Sequence, residues 1–83
     1  MALRKDFPIL ERDIQSKRLA FLDNAASTQM PTQVIETVSA YHQYHHSNVH
    51  RGVHQLSQEA TDLYEGAREK MRAFIGVAST KEI

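Results

Sequence analysis

The chain contains no cysteine among its 83 residues. That absence excludes disulfides, thiolate nucleophiles and cysteine metal sites from it, and it is compatible with a cytosolic home. Net charge is absent too: ten basic and ten acidic residues are interspersed. This argues against nucleic-acid binding, which needs a basic patch. No apolar run approaches the ~20 residues that span a bilayer. The opening Met1-Ala2-Leu3-Arg4-Lys5-Asp6-Phe7 lacks the hydrophobic centre of a signal peptide. The composition therefore predicts a cytoplasmic, largely helical piece with no nucleic-acid or membrane partner. At this length it is one domain at most, burying only roughly 60% of its unfolded surface.

Residues 1–20 are charged and carry a weak helical pattern, with Phe7, Ile9, Leu10 and Ile14 as a short apolar stripe. Pro8 belongs in the first turn of such a helix or just outside it. Leu19-Ala20-Phe21-Leu22 is a short apolar run, stopped by Asp23-Asn24, that reads as a strand, though four residues do not separate a strand from buried coil. Pro31 or Thr32 opens the first clear helix, since proline's missing N–H has no intrahelical partner there anyway. Val34, Ile35, Val38, Tyr41 and His45 give it one apolar face. The pattern dissolves at His46-Ser47-Asn48.

A second helix is expected over about 56–75, with Leu56, Ala60, Leu63, Ala67, Met71, Phe74 and Ile75 in one stripe. Ser57 is one candidate N-cap, a start a few residues earlier is the other, and Gly76 is its C-terminal stop. Gly66 weakens it by about 1 kcal/mol against alanine and leaves room for another backbone. Glu65 and Glu69 are placed to pair with Arg68, Lys70 or Arg72 on the solvated side. The two apolar stripes are expected to pack partly on each other and to leave apolar surface over. Residues 77–83 read as a turn entering a new element.

Three groups could carry chemistry. His42, His45 and His46, and then His46, His50 and His54, stand at spacings that suit a metal. The opposing reading is stronger: the break at 46–54 interrupts any continuous helix, and no cysteine or nearby carboxylate completes a ligand set. In the run Asp23-Asn24-Ala25-Ala26-Ser27, two small side chains would let a carboxylate approach main-chain N–H groups, and Asn24 adds an amide donor and acceptor. The plain alternative is a turn that ends a strand. In His50-Arg51-Gly52-Val53-His54, Arg51 supplies a bidentate fork and a flanking histidine can exchange protons near neutral pH. The plain alternative there is an exposed loop with an arginine ion pair.

Taken together, Asp-Phe-Pro-Ile-Leu (6–10), Leu-Asp-Asn-Ala-Ala-Ser (22–27), Pro31, Val-His-Arg-Gly-Val-His (49–54), Leu-Ser (56–57), Ala-Thr (60–61), Tyr-Glu-Gly-Ala-Arg (64–68) and Phe-Ile (74–75) resemble the N-terminus of cysteine desulfurases. The branch resembled includes sulfur-mobilising desulfurases and selenocysteine lyases. It lies within the class-V aminotransferase family of fold-type I pyridoxal-phosphate enzymes. The resemblance implies a mainly α segment with a short strand or extended piece, residues 1–83 forming part of the small domain and active-site mouth of an α/β enzyme.

What the complete enzyme does is also implied. It is a homodimer that removes sulfur from L-cysteine, or selenium from L-selenocysteine, giving alanine and an enzyme persulfide. Its sulfur goes to an acceptor protein for iron–sulfur cluster assembly. Pyridoxal 5'-phosphate is its cofactor, acting as an electron sink. By the same resemblance Asn24, Ala25, Ala26, His50 and Arg51 are substrate-side residues, with His54 their neighbour. The phosphate-cradling Gly-Thr-Thr segment is expected directly after Ile83. The aspartate for the pyridine nitrogen, the Schiff-base lysine and the nucleophilic cysteine are expected beyond residues 1–83. No catalytic residue, cofactor site or metal site is therefore expected in this chain alone, and the rest of the desulfurase is its first partner. Two other readings stand beside this one: a stand-alone helical interaction module that binds a desulfurase at its subunit contact, and a histidine-rich metal binder.

Overall fold

Residues 3–83 are described in a computed structural model. They divide into two compact units, one ending at Ala40 and the other beginning at Tyr41. Helix α1 (Thr32–Tyr44) runs through that boundary, and helix α2 (Gln55–Ile75) lies wholly in the second unit. The predicted class holds: a mainly α segment with one very short sheet.

The first unit opens with two 3-10 turns, Leu3–Asp6 and Pro8–Glu11, where a weak helical stripe was expected. Pro8 takes the first-turn position. The Arg4 guanidinium ties these turns to the next segment, donating to the carbonyls of Leu10 and, at 2.6 Å, of Leu19. A hairpin follows, strand β1 (Asp13–Ile14) antiparallel to β2 (Lys17–Arg18), with Asp13 opposite Arg18. Its two-residue turn holds Gln15 at φ 50° and Ser16 at φ 62°. Left-handed backbone at both positions matches the twist of a tight hairpin, but costs a non-glycine residue roughly 1–2 kcal/mol.

The strand expected over 19–22 does not form. A strand exists only through a ladder partner, and this run has none. Residues 13–18 fold back on themselves instead, and the Leu19 N–H donates to the Arg12 carbonyl at 3.2 Å, closing the end of the hairpin. Helix α1 starts at Thr32, with the Pro31 carbonyl accepting from the N–H groups of Val34 and Ile35. The Thr32 hydroxyl donates to the Asp6 carbonyl at 3.2 Å, bringing the helix start to the first 3-10 turn.

In the second unit, α2 ends where the sequence says it should. Gly76 is left-handed at φ 85°, and its N–H donates to the Arg72 carbonyl at 2.9 Å. Its start falls a little earlier than Ser57, as the sequence allowed, and the cap residue is a different one. The N-cap is His54, whose Nδ1 accepts from the Ser57 N–H at 3.3 Å. Ser57 faces the preceding loop instead. Residues 77–83 fold into a 3-10 turn, Thr80–Glu82. Arg68 holds it, donating to the carbonyls of Thr80 (2.6 Å) and Ile83 (3.2 Å). Glu69 pairs with Arg72 at 2.6 Å and Glu65 stands 3.6 Å from Arg68, as helical spacing predicts.

Among the described residues only Ser57 and Ala60 are fully buried. The stripe residues Val34, Ile35 and Val38, and Leu56, Leu63, Met71 and Phe74, are all exposed, and none of them is buried. Nor does Gly66 receive another backbone: a Cβ there would meet nothing within 4 Å.

Candidate functional site

The 23–28 turn is held by its own backbone. The Asp23 carbonyl accepts from the N–H groups of Ala26 (3.1 Å) and Ser27 (3.3 Å). Those two donors are therefore taken, and they do not form the open N–H cradle that the small alanines suggested. Asn24 remains the polar group of interest. Its Oδ1 accepts from the Thr28 hydroxyl at 3.2 Å, and its Nδ2 has no partner among the described residues. Asn24 lines a cleft of about 260 Å³ with Phe7, Leu10, Phe21, Thr28 and Gln29. Three of its lining residues are apolar, and Asn24, Gln29 and Thr28 bring amide and hydroxyl groups. Ala25 and Ala26 are exposed on the same turn but do not line it.

The loop at 48–54 is built differently. It is drawn onto one face of α2 by residues at helical spacing, Ser57, Thr61 and Glu65. The buried Ser57 hydroxyl donates to the Asn48 carbonyl at 2.6 Å and accepts from the Gly52 N–H at 2.9 Å. Thr61 Oγ1 donates to the Ser57 carbonyl at 2.8 Å and accepts from the His50 N–H at 2.9 Å. His50 Nε2 lies 2.7 Å from Glu65 Oε1, and its ring meets Tyr64 edge-on at 5.7 Å. His50 itself is left-handed at φ 68°.

Gly52 is required here by space. A Cβ on it would lie 2.6 Å from Ser57 Cβ and 2.8 Å from His54 Nε2. Arg51 is exposed and has no ion-pair or hydrogen-bond partner among the described residues, which leaves its fork open. His54 is occupied as the helix cap.

The remaining histidines have separate roles. His45 Nδ1 lies 3.1 Å from Glu59. The His42 and His46 rings lie tilted 5.4 Å apart, and the Tyr41 ring meets each of them edge-on. No group of three potential metal ligands occurs among the described residues. The Glu59 carboxyl sits below its ordinary value because the Gln55 side chain, and then His45, hydrogen-bonds its charged form. Glu69 is lowered in the same way, chiefly by Arg72. No helix among the described residues is long and apolar enough to cross a membrane.

Sequence reasoning found the loop residues and missed their anchors. The anchors are Ser57, a candidate cap by sequence, Thr61, a motif residue, and Glu65, a candidate partner of arginine. Their spacing of four along α2 was the available signal.

Residues 20–83 match the family model described as Aminotransferase class-V. The chain belongs to that family. The matched region contains both the 23–28 turn and the 48–54 loop, so every candidate residue lies inside it. A protein named probable cysteine desulfurase from Streptomyces coelicolor is 52% identical over 83 residues, covering 99% of this chain and 20% of that protein. A cysteine desulfurase from Synechococcus elongatus is 47% identical over 81 residues, covering 98% of this chain and 13% of its own length. Another probable cysteine desulfurase, from Halalkalibacterium halodurans, is 51% identical over 81 residues, with 98% and 20% covered. This class-V aminotransferase chain thus spans a fifth or less of these relatives, corresponding to their N-terminal part.

Proposed function

We propose that this chain serves as the N-terminal part of a cysteine desulfurase. The complete enzyme removes sulfur from L-cysteine, or selenium from L-selenocysteine, to give alanine and an enzyme persulfide. It works as a homodimer in the cytoplasm, passing sulfur to an acceptor protein for iron–sulfur cluster assembly. The observation that carries this reading is identity of 47–52% to desulfurases across nearly the whole chain.

Pyridoxal phosphate is the cofactor the family implies for the complete enzyme. The described residues do not fit it. Lys5, Lys17, Lys70 and Lys81 are all exposed, and none of them lines the cleft beside Asn24, where a lysine would be needed to hold the cofactor's aldehyde. The cofactor belongs to the rest of the desulfurase. This segment contributes on the substrate side. Asn24, with Ala25 and Ala26 beside it, faces the substrate carboxylate at the mouth of the site. His50 and Arg51 act near the subunit contact, where an open guanidinium fork suits a carboxylate or a bridging ion pair.

The exposed stripes of α1 and α2 also suit a module that docks on a desulfurase from outside. One experiment separates the two readings. This chain replaces the matching 81 residues of the Synechococcus elongatus desulfurase, and alanine formation from L-cysteine is measured. Activity within roughly tenfold of the parent is expected, because substrate-side groups are retained. A folded, cofactor-loaded chimera that forms no alanine overturns the proposal and leaves the docking module.

A further inference from the structure

The His50 backbone is left-handed at φ 68°. A non-glycine residue stays in that region only where its surroundings hold it there. Here the surroundings are explicit. The His50 N–H is bound by Thr61 Oγ1 at 2.9 Å, and the loop on either side is pinned by the buried Ser57 hydroxyl. The ring is held separately, by Glu65 Oε1 at 2.7 Å from Nε2 and by the edge-on Tyr64 ring. Glu65 is fixed in turn by Arg68, 3.6 Å from its other oxygen, and the Arg68 guanidinium lies 5.9 Å from the Tyr64 ring centre. Glu65, Tyr64 and Arg68 are thus the titratable and charged groups that face His50 from α2.

An ionised carboxylate only accepts hydrogen bonds, and a neutral imidazole has one donor nitrogen and one acceptor. With Glu65 on Nε2, the proton of the neutral ring must sit on Nε2, and the lone pair must sit on Nδ1. Nδ1 has no partner among the described residues. The adjacent residue is Arg51, whose fork is also open.

Resting on the desulfurase reading above, we infer that Glu65 is a positioning residue for His50. It fixes the Nε2–H tautomer and keeps Nδ1 as a free acceptor beside Arg51, while Ser57 and Thr61 fix the backbone that carries both. The role does not require Glu65 to touch substrate. It acts through the ring, as carboxylates that set a histidine tautomer generally do.

Two measurements test this. In the 83-residue chain labelled with 15N-histidine, two-bond nitrogen–proton correlations above pH 8 read the His50 tautomer, assigned by its loss in His50→Gln. A dominant Nε2–H form is expected, relaxing towards the mixture of a free imidazole in Glu65→Ala. Because Glu65 is a partly exposed helix position, α2 should survive that change, and circular dichroism verifies it. Thr61→Val provides an independent handle: the His50 amide should exchange roughly tenfold faster while the tautomer stays as it is.

In the desulfurase chimera, Glu65→Ala should lower kcat/KM roughly tenfold, with Glu65→Asp recovering part of the loss. A mixed tautomer in the wild-type chain overturns the inference. So does unchanged kcat/KM in Glu65→Ala beside an active parent chimera. An inactive parent chimera strikes the desulfurase reading alone, and the tautomer measurement then decides this one.

Discussion

Between Asp23 and Thr28 the hydrogen bonds of the turn reach no further than four residues along the chain. Between Asn48 and His54 they reach as far as fifteen, to Glu65 on the third turn of α2. Both segments are short, polar and matched to the same family, yet one is a self-contained turn and the other is fastened to a helix. Locally closed turns form from their own residues and shift as a body. A loop with anchors on a rigid helix holds individual side chains in place. The anchors fix the His50 ring and the backbone that carries Arg51, whereas Asn24 sits on a turn held only by its own residues beside a cleft.

Four experiments test that contrast. In the desulfurase chimera, Arg51→Ala should lower kcat/KM roughly thirtyfold, about 2 kcal/mol for a lost charge-assisted contact. Asn24→Ala should lower it less. If Arg51 binds the substrate carboxylate, Arg51→Lys raises KM with kcat nearly kept. If it organises the subunit contact, the same change weakens dimerisation or lowers kcat. Full activity, KM and dimer affinity in Arg51→Ala would erase the distinction between the two segments.

The next test is steric. Gly52→Ala should destabilise the chain by about 2 kcal/mol, because the added methyl overlaps Ser57 and His54. Gly66→Ala should stabilise it by about 1 kcal/mol, since the position is helical and open. Urea denaturation followed by helix signal measures both, and equal effects of one sign would show that the 48–54 loop is not held as described.

Removing one anchor comes third. Ser57→Ala deletes a buried hydroxyl that serves both Asn48 and Gly52, and a loss of about 1.5 kcal/mol is expected. Its signature is faster proteolysis at 48–54 with cleavage at 23–28 unchanged.

The smallest effect is electrostatic. The Glu59 and Glu69 carboxyls are held below the ordinary glutamate value of 4.5 by hydrogen bonds, from Gln55 and His45 in one case and Arg72 in the other. Such groups bind protons more weakly in the folded chain than in the unfolded one, so the unfolded state gains protons first. Their stabilising contribution is complete above that ordinary value and disappears as pH falls through the lower folded-state values. The urea midpoint should therefore drop slightly between pH 5 and pH 3, and Glu59→Gln should flatten part of that drop.

Some of this architecture was legible along the chain because its causes are local. Pro31, the stripe from Val34 and the left-handed stop at Gly76 mark helix ends through single-residue backbone preferences, and both helices stand within about one residue of expectation. The run 19–22 misled because a strand depends on a partner, and the partner pairing occurred at 13–18 instead. Ser57 misled because capping residues and loop anchors share the same hydroxyl chemistry. Only its burial and its bonds to Asn48 and Gly52 separate the two roles.

Family, helix limits and the identity of the loop residues follow from residue types at fixed spacing. Tertiary structure decided which donors of the 23–28 turn are already taken. It placed Asn24 on a cleft with Phe7, Leu10 and Phe21. It set His50 in a left-handed backbone under Thr61 and Glu65. Those outcomes depend on groups many residues apart meeting at hydrogen-bond distance, and spacing along a chain carries no such distance until the helix that brings them together has formed.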